Sequence, residues 1–159
     1  MKQKFIDLYM DWAKRLAQLS YAKRLQVGAV IVKDDTVISY GYNGMPADWN
    51  NDCEDRIYAN EWTIDAAEWQ YTDETGKPYN LKTKPEVLHA ESNAISKLAR
   101  SSNSGAGADI FITHSPCLEC AKLIYQSGIG RVYYCQDYRD RSGINFLLSS
   151  GILVNKIGE

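Results

Sequence analysis

Two short segments far apart in the chain, Leu88-His89-Ala90-Glu91 and Ser115-Pro116-Cys117-Leu118-Glu119-Cys120, restrict the fold more than any other feature of the sequence. An imidazole and two thiolates are donors that zinc favours, and three protein donors with a fourth position left to water mark a catalytic rather than a structural centre. His89, Cys117 and Cys120 supply those three, so the fold has to bring residue 89 to residues 117–120. Proline is favoured in the first turn of a helix, which places Cys117 and Cys120 at i and i+3 on one face of an opening turn. His89 follows the break Lys84-Pro85-Glu86 and precedes a helical run over residues 90–99. Two helix N-termini are therefore expected to converge, and their N–H groups and positive dipole ends favour thiolates and anionic intermediates. Glu91 is left unligated, close enough for general acid/base work on a metal-activated water. A structural centre needs a fourth protein ligand, and His114, Cys53 and Cys135, the only candidates, lack local ligand spacing.

Around these motifs the hydrophobic pattern reads as α/β. Phe5, Leu8, Tyr9, Trp12, Leu16 and Leu19 form one stripe of a helix over residues 3–19, expected to pack on a sheet. Residues 27–32 are too uniformly apolar for a half-exposed strand and predict a buried central one. Lys33-Asp34-Asp35 is a hairpin turn into an antiparallel second strand over 36–40. Further strands are predicted over 108–113, 131–135 and 152–154, with helices over 117–127 and 141–150, the former stopped by Gly128-Ile129-Gly130. This order predicts an α/β fold of three layers, α/β/α, around a mixed five-stranded sheet, its first pair antiparallel and the rest parallel. Ligands of such sheets bind beyond the carboxyl ends of parallel strands, where the two motifs fall. Residues 47–84, with Trp49, Trp62 and Trp69, read as an insertion within one domain spanning 1–159. A helix is expected over residues 57–69, its tryptophans capping the core. In Gly41-Tyr42-Asn43-Gly44 the glycines permit positive φ, so the segment reads either as an ordinary turn or as one that presents N–H groups and the Asn43 amide to a ligand.

Composition narrows the class of partner. With 159 residues, 45% of them hydrophobic, the chain can bury a real core. A net charge of −2 and a pI near 5.7 argue against a nucleic-acid surface and for a small-molecule substrate. No apolar run approaches the roughly 18 residues that would span a bilayer, and the N-terminal residues lack a signal-peptide core, so no membrane partner and a cytoplasmic protein are expected, in host cytoplasm if the source is viral. Cys53 and Cys135 read as free thiols.

With the motifs in place, the sequence resembles the cytidine deaminase-like superfamily, whose zinc signature is His-x-Glu with Pro-Cys-x-x-Cys. It is most similar there to the deoxycytidylate (dCMP) deaminases of viral and eukaryotic type. The similarity covers nearly the whole chain and rests on residues 26–32, Gly41-Tyr42-Asn43-Gly44-Met45-Pro46, His89-Ala90-Glu91 with Asn93-Ala94-Ile95, Ser115-Pro116-Cys117 with Cys120-Ala121-Lys122, and residues 126–129. The resemblance implies zinc-dependent hydrolysis of dCMP to dUMP and ammonia, feeding dTMP synthesis, in a homohexamer activated by dCTP and inhibited by dTTP. It implies Zn2+ on His89, Cys117 and Cys120, and Mg2+ accompanying a triphosphate effector. Some relatives add a structural zinc through a cysteine where this chain has Ala22, which implies one zinc per chain here. Glu91 is then the catalytic acid and base, and Asn43, Ala90, Arg24, His114, Ser115 and Tyr138 are expected at the substrate, with Lys23 and Arg139 as further phosphate candidates. Gly41, Tyr42, Gly44, Lys97 and Arg100 are the expected effector residues. Deaminases of free (deoxy)cytidine, or of RNA and single-stranded DNA, share the zinc core, and a zinc-stabilised binding module without chemistry is the non-enzyme alternative.

Overall fold

The structure, a computed structural model, describes residues 1–58 and 69–158. Its frame is a five-stranded sheet in the order β2-β1-β6-β7-β8, formed by β1 (Gly28–Lys33), β2 (Thr36–Tyr42), β6 (Asp109–His114), β7 (Arg131–Gln136) and β8 (Leu153–Lys156). The hairpin turn between β1 and β2 is tight because Asp34 and Asp35 take positive φ, 49° and 57°, which acidic and amide side chains tolerate better than most. β1 pairs antiparallel with β2 and also with β6, whereas β6, β7 and β8 are mutually parallel. The expectation that every strand after the first pair would join in parallel is corrected at that one seam: β1 runs against all its neighbours. Consequently the carboxyl ends of β2, β6 and β7 share one edge of the sheet.

Strict alternation along the central strands divides the core in two. Ala29, Ile31, Ile110 and Ile112 face α2 (Ala90–Ala99), α3 (Leu118–Gln126) and α4 (Ser142–Ser149), while Val30, Val32 and Phe111 face α1 (Gln3–Ala17). Three layers result, as expected. Half of the predicted stripe packs on the sheet, Tyr9 buried and Phe5 and Leu16 against it, while Leu8, Trp12 and Leu19 are 43–49% exposed and Met10, Ala13 and Ala17 complete the buried face. The shift follows from close approach at Gly28, where a Cβ would lie 2.0 Å from the Ala13 carbonyl oxygen, so that near Ala13 and Ala17 only small residues fit between helix and strand.

The inserted stretch carries structure of its own. β3 (Glu54–Tyr58), β4 (Tyr71–Thr72) and β5 (Pro78–Thr83) make a second, three-stranded antiparallel sheet in the order β3-β5-β4. Asp73 closes the β4–β5 turn, its Oδ1 accepting the amide N–H groups of Thr75 and Lys77 at 2.9 Å each. The helix expected over 57–69 is contradicted at Ile57 and Tyr58, which pair with Asn80 and Tyr79 as strand residues; residues 59–68, including Trp62, lie outside the described residues. Of the other tryptophans of the insertion, Trp69 is half-buried and Trp49, which precedes the predicted helix, is 57% exposed.

Candidate active site

His89 is the N-cap of α2 and Cys117 the N-cap of α3, and neither side chain caps its helix. Serine, threonine, aspartate and asparagine are favoured there because they bind the free N–H groups, and a histidine and a cysteine forgo that stabilisation of about 1 kcal/mol per helix. What the arrangement gains is convergence. The donor atoms of His89, Cys117 and Cys120 all lie within 4.8 Å of one another. His89 turns Nδ1 inward, 3.6 Å from the Cys117 sulfur and 3.4 Å from the Cys120 sulfur. One nitrogen, two sulfurs and a face open to a cavity match the donor set of a three-ligand zinc centre, and among the described residues no fourth His, Cys or acidic ligand joins them. Cys53 lies apart, buried against Ala22 and Val87.

The protons of this cluster are tightly coupled. The hydrogen bond between the two sulfurs, and then the one to His89, holds the Cys117 thiol down to about 4. That same sulfur–sulfur contact, with burial second, pushes the Cys120 thiol up, and the Cys117 hydrogen bond raises His89. A metal bound there would displace the shared protons. Glu91, buried within the first turn of α2, has its carboxyl pushed up to about 6, chiefly by burial.

His89, Glu91 and Cys117 line a cavity of about 360 Å3, within the range of small-molecule sites. The sequence-predicted Arg24, Asn43, Ala90, His114, Ser115 and Tyr138 all line it, as does Arg139, whereas Lys23 is not among its lining residues. All but Arg24, which lies in the loop between α1 and β1, come from a strand end or a helix start. Asn43 follows β2, His114 ends β6, Ser115 follows it, and Tyr138 and Arg139 follow β7. Ser115 Oγ accepts the Tyr138 N–H at 2.7 Å and keeps its own hydrogen to donate. Asn43 is largely occupied by the fold: Oδ1 accepts the Val27 N–H and Nδ2 donates to the Leu25 carbonyl, both at 2.8 Å. One amide hydrogen and one lone pair remain for a ligand.

The turn after β2 does not present free N–H groups, and here the sequence reading is corrected. Those of Asn43 and Gly44 donate to the carbonyls of Val27 and Leu88, at 3.1 Å each. Neither Gly41 nor Gly44 has positive φ. Gly41 is needed for a different reason: a Cβ there would meet the Ala90 oxygen at 2.3 Å, so its absence lets α2 lie directly on β2. Tyr42 holds α2 as well, through Asn93 Nδ2 to its carbonyl at 3.0 Å. Lys97 lies on the exposed side of α2 over the Tyr40 and Tyr42 rings, 4.4 and 5.9 Å from their centres, and Arg100 is exposed at the end of that helix.

The second sheet supplies a wall that sequence reasoning missed: Glu54, Gln70, Tyr71 and Thr83 line the same cavity. Arg24 is tied to that wall by its guanidinium, which donates to Thr83 Oγ1 at 3.1 Å. Gly143 was missed as well. A Cβ there would lie 2.1 Å from the Pro116 oxygen and 2.7 Å from the Cys117 oxygen, so α4 presses directly on the cysteine loop. No local motif marks either feature, because both arise from contacts across the fold.

A three-layer α/β/α fold with a three-donor centre at two helix N-termini and an unligated acid beside it defines a zinc-dependent hydrolytic deaminase. Comparison with known proteins agrees: the model of the cytidine and deoxycytidylate deaminase zinc-binding region matches residues 3–136, and the chain belongs to that family. It is 37% identical over 134 residues to the deoxycytidylate deaminase of Enterobacteria phage T4, covering 71% of this chain and 68% of the phage protein. It is 37% identical over 144 residues to the Homo sapiens deoxycytidylate deaminase, covering 84% and 70%. The crystal structure of dCMP deaminase from the cyanophage S-TIM5 in complex with dCMP and dUMP superposes with a TM-score of 0.81 at 38% identity, over 99% of each chain.

Proposed function

We propose that the protein hydrolyses dCMP to dUMP and ammonia, with one zinc held by His89, Cys117 and Cys120. The observation that carries this reading is a single cavity with a buried glutamate beside a nitrogen–sulfur donor triangle and two arginines, Arg24 and Arg139, on its walls. Zinc in that triangle supplies a Lewis acid that makes a water nucleophilic near neutral pH.

The protein's own groups account for the rest. Glu91 takes one proton of the attacking water and delivers it to pyrimidine N3, then takes the second from the hydroxyl now on C4 and delivers it to the departing amine, so that C4 exchanges its C–N bond for C–O and ammonia leaves. Burial that raises its carboxyl to about 6 suits a group that must both accept and donate a proton near neutrality. Ala90 opens α2, so its N–H has no partner within the helix and is available to the base. Asn43 offers its remaining amide hydrogen and lone pair to base or sugar, and Tyr138 borders the same space. Arg24, Arg139, His114 and Ser115 hold the 5′-phosphate, arginine through the forked geometry that suits phosphate oxygens. The phage and human relatives and the cyanophage structure, all dCMP deaminases by name, support the choice of substrate.

The regulatory part of the proposal is that dCTP, carried with Mg2+, activates and dTTP inhibits a homo-oligomer, a hexamer by resemblance, in the cytoplasm of the cell or host. Lys97 and Arg100 stand for the effector phosphates, with Tyr42 held between Lys97 and the strand end that bears Asn43. With the Asn43 and Gly44 amides engaged elsewhere, Gly41 and Gly44 contribute by shaping that strand end rather than by donating. The test is ammonia release from dCMP, CMP, deoxycytidine and dCTP, each with and without added dCTP or dTTP. Turnover of deoxycytidine as fast as dCMP would overturn the phosphate assignment, and indifference to both triphosphates the regulatory one.

A further inference from the structure

Glu54 stands out among the acidic side chains of the described residues. It is only 6% exposed and lines the cavity. Its Oε1 accepts two amide N–H groups, from Lys23 at 2.8 Å and Arg24 at 3.1 Å. Its other oxygen, Oε2, is buried and has no hydrogen-bond partner among the described residues. An orphaned acceptor on a buried carboxylate costs on the order of 1–3 kcal/mol or more, and such groups in native proteins usually have a use.

We propose that Glu54 is a substrate-binding residue whose free oxygen accepts the hydrogen bond of the sugar 3′-hydroxyl. The inference rests on the dCMP reading above and follows from the donors that substrate has. A carboxylate repels the phosphate and cannot accept from the pyrimidine O2, so only an uncharged donor suits it. In dCMP the donors are the 4-amino group and the 3′-hydroxyl. The amino group is the reacting group and belongs beside Glu91 and the metal donors. The 3′-hydroxyl remains. Position agrees with chemistry: Oε1 holds the main-chain N–H of Arg24, the residue assigned to the 5′-phosphate, and Glu54 and Arg24 line the same cavity. The inserted sheet, which bears Glu54 on β3, is thereby the wall that meets the 3′ side of the sugar. Because substrate and product carry the same hydroxyl, the contact is uniform along the reaction and acts on KM more than on kcat.

The experiment pairs two proteins with two substrates: the zinc-loaded chain and its Glu54→Gln variant, each with dCMP and with 2′,3′-dideoxycytidine 5′-monophosphate. Glutamine keeps an oxygen for the Lys23 and Arg24 amides but places an NH2 where Oε2 stands. The unmodified protein is expected to lose about 10- to 100-fold in kcat/KM on the dideoxy substrate, mainly through KM, the size of one hydrogen bond to a charged group. Glu54→Gln is expected to lose a similar factor on dCMP and little on the dideoxy substrate. Equal losses on both substrates would reduce Glu54 to a loop anchor and overturn the inference. So would an unmodified protein that treats the two substrates alike, a result that needs no variant to fold. Failure of the zinc-loaded protein to turn over dCMP at all would instead remove the functional reading and this one with it.

Discussion

Glu91 and the two pocket arginines separate chemistry from recognition. Glu91→Gln keeps the shape and the buried hydrogen-bonding capacity but cannot hold and return a proton. It is expected to lose about 10²- to 10⁴-fold in kcat with zinc content unchanged, the usual share of general acid–base catalysis. Activity within a few-fold of the parent would end the assignment. Arg24→Ala acts differently, because Arg24 belongs to the wall rather than to the reacting centre. Its loss is expected to raise KM for dCMP about 10- to 100-fold, as for other truncated charged hydrogen bonds, while deoxycytidine turnover stays nearly the same. Competition kinetics with the two substrates read the split directly, and a parallel fall in both would mean that Arg24 supports the fold rather than the phosphate.

Helices and strands meet here at backbone contact distance, and those contacts set the geometry of the metal donors. α4 rests on the cysteine loop through Gly143, whose missing side chain leaves the Pro116 and Cys117 carbonyls in place. Gly143→Ala must push α4 or that loop aside, and overpacking of this kind costs about 1–3 kcal/mol. Denaturant titration is expected to show a lower midpoint, and metal analysis a weaker hold on zinc, because the displaced backbone carries the N-cap cysteine. An unchanged midpoint would show that α4 can yield without cost. The same close approach governs α1, where Ala13 and Ala17 lie against β1 and the large apolar residues Leu8 and Trp12 face outward. Periodicity found the helix and the Phe5, Tyr9 and Leu16 part of its packed face, but not the turn toward Ala13 and Ala17, because the close packing at Gly28 selects for smallness there.

For the whole molecule, metal binding, protonation and folding are linked. His89 and the Cys120 thiol both hold their protons more tightly than usual, so protons compete with zinc as the pH falls. Chelator competition between pH 8 and pH 5.5 is expected to show zinc affinity falling steadily toward acid, and stripping the metal to lower the melting temperature; a pH-independent affinity would be incompatible with imidazole and thiolate ligands. Local chemistry made the core of this protein legible before any coordinates. The His89, Cys117 and Cys120 donors, the unligated Glu91, the sandwiched β1 and the helix stops at residues 128–130 are dictated by residue type over a few positions, where spacing and φ preference act directly. The small sheet of β3, β4 and β5 was not legible, because its strands are short, polar and half-buried and gain their stability from pairing with one another. Nor was the antiparallel β1–β6 seam, the outward turn of Leu8 and Trp12 on α1, the engagement of the Asn43 amide, or the place of Glu54 in the cavity wall. Sequence determined which chemistry the chain can perform, since donor identity survives in one dimension. Only tertiary structure decided what lines the cavity beside those donors, since that wall is assembled from residues 24, 54, 71, 83 and 139, whose meeting depends on long-range contacts that no local propensity encodes.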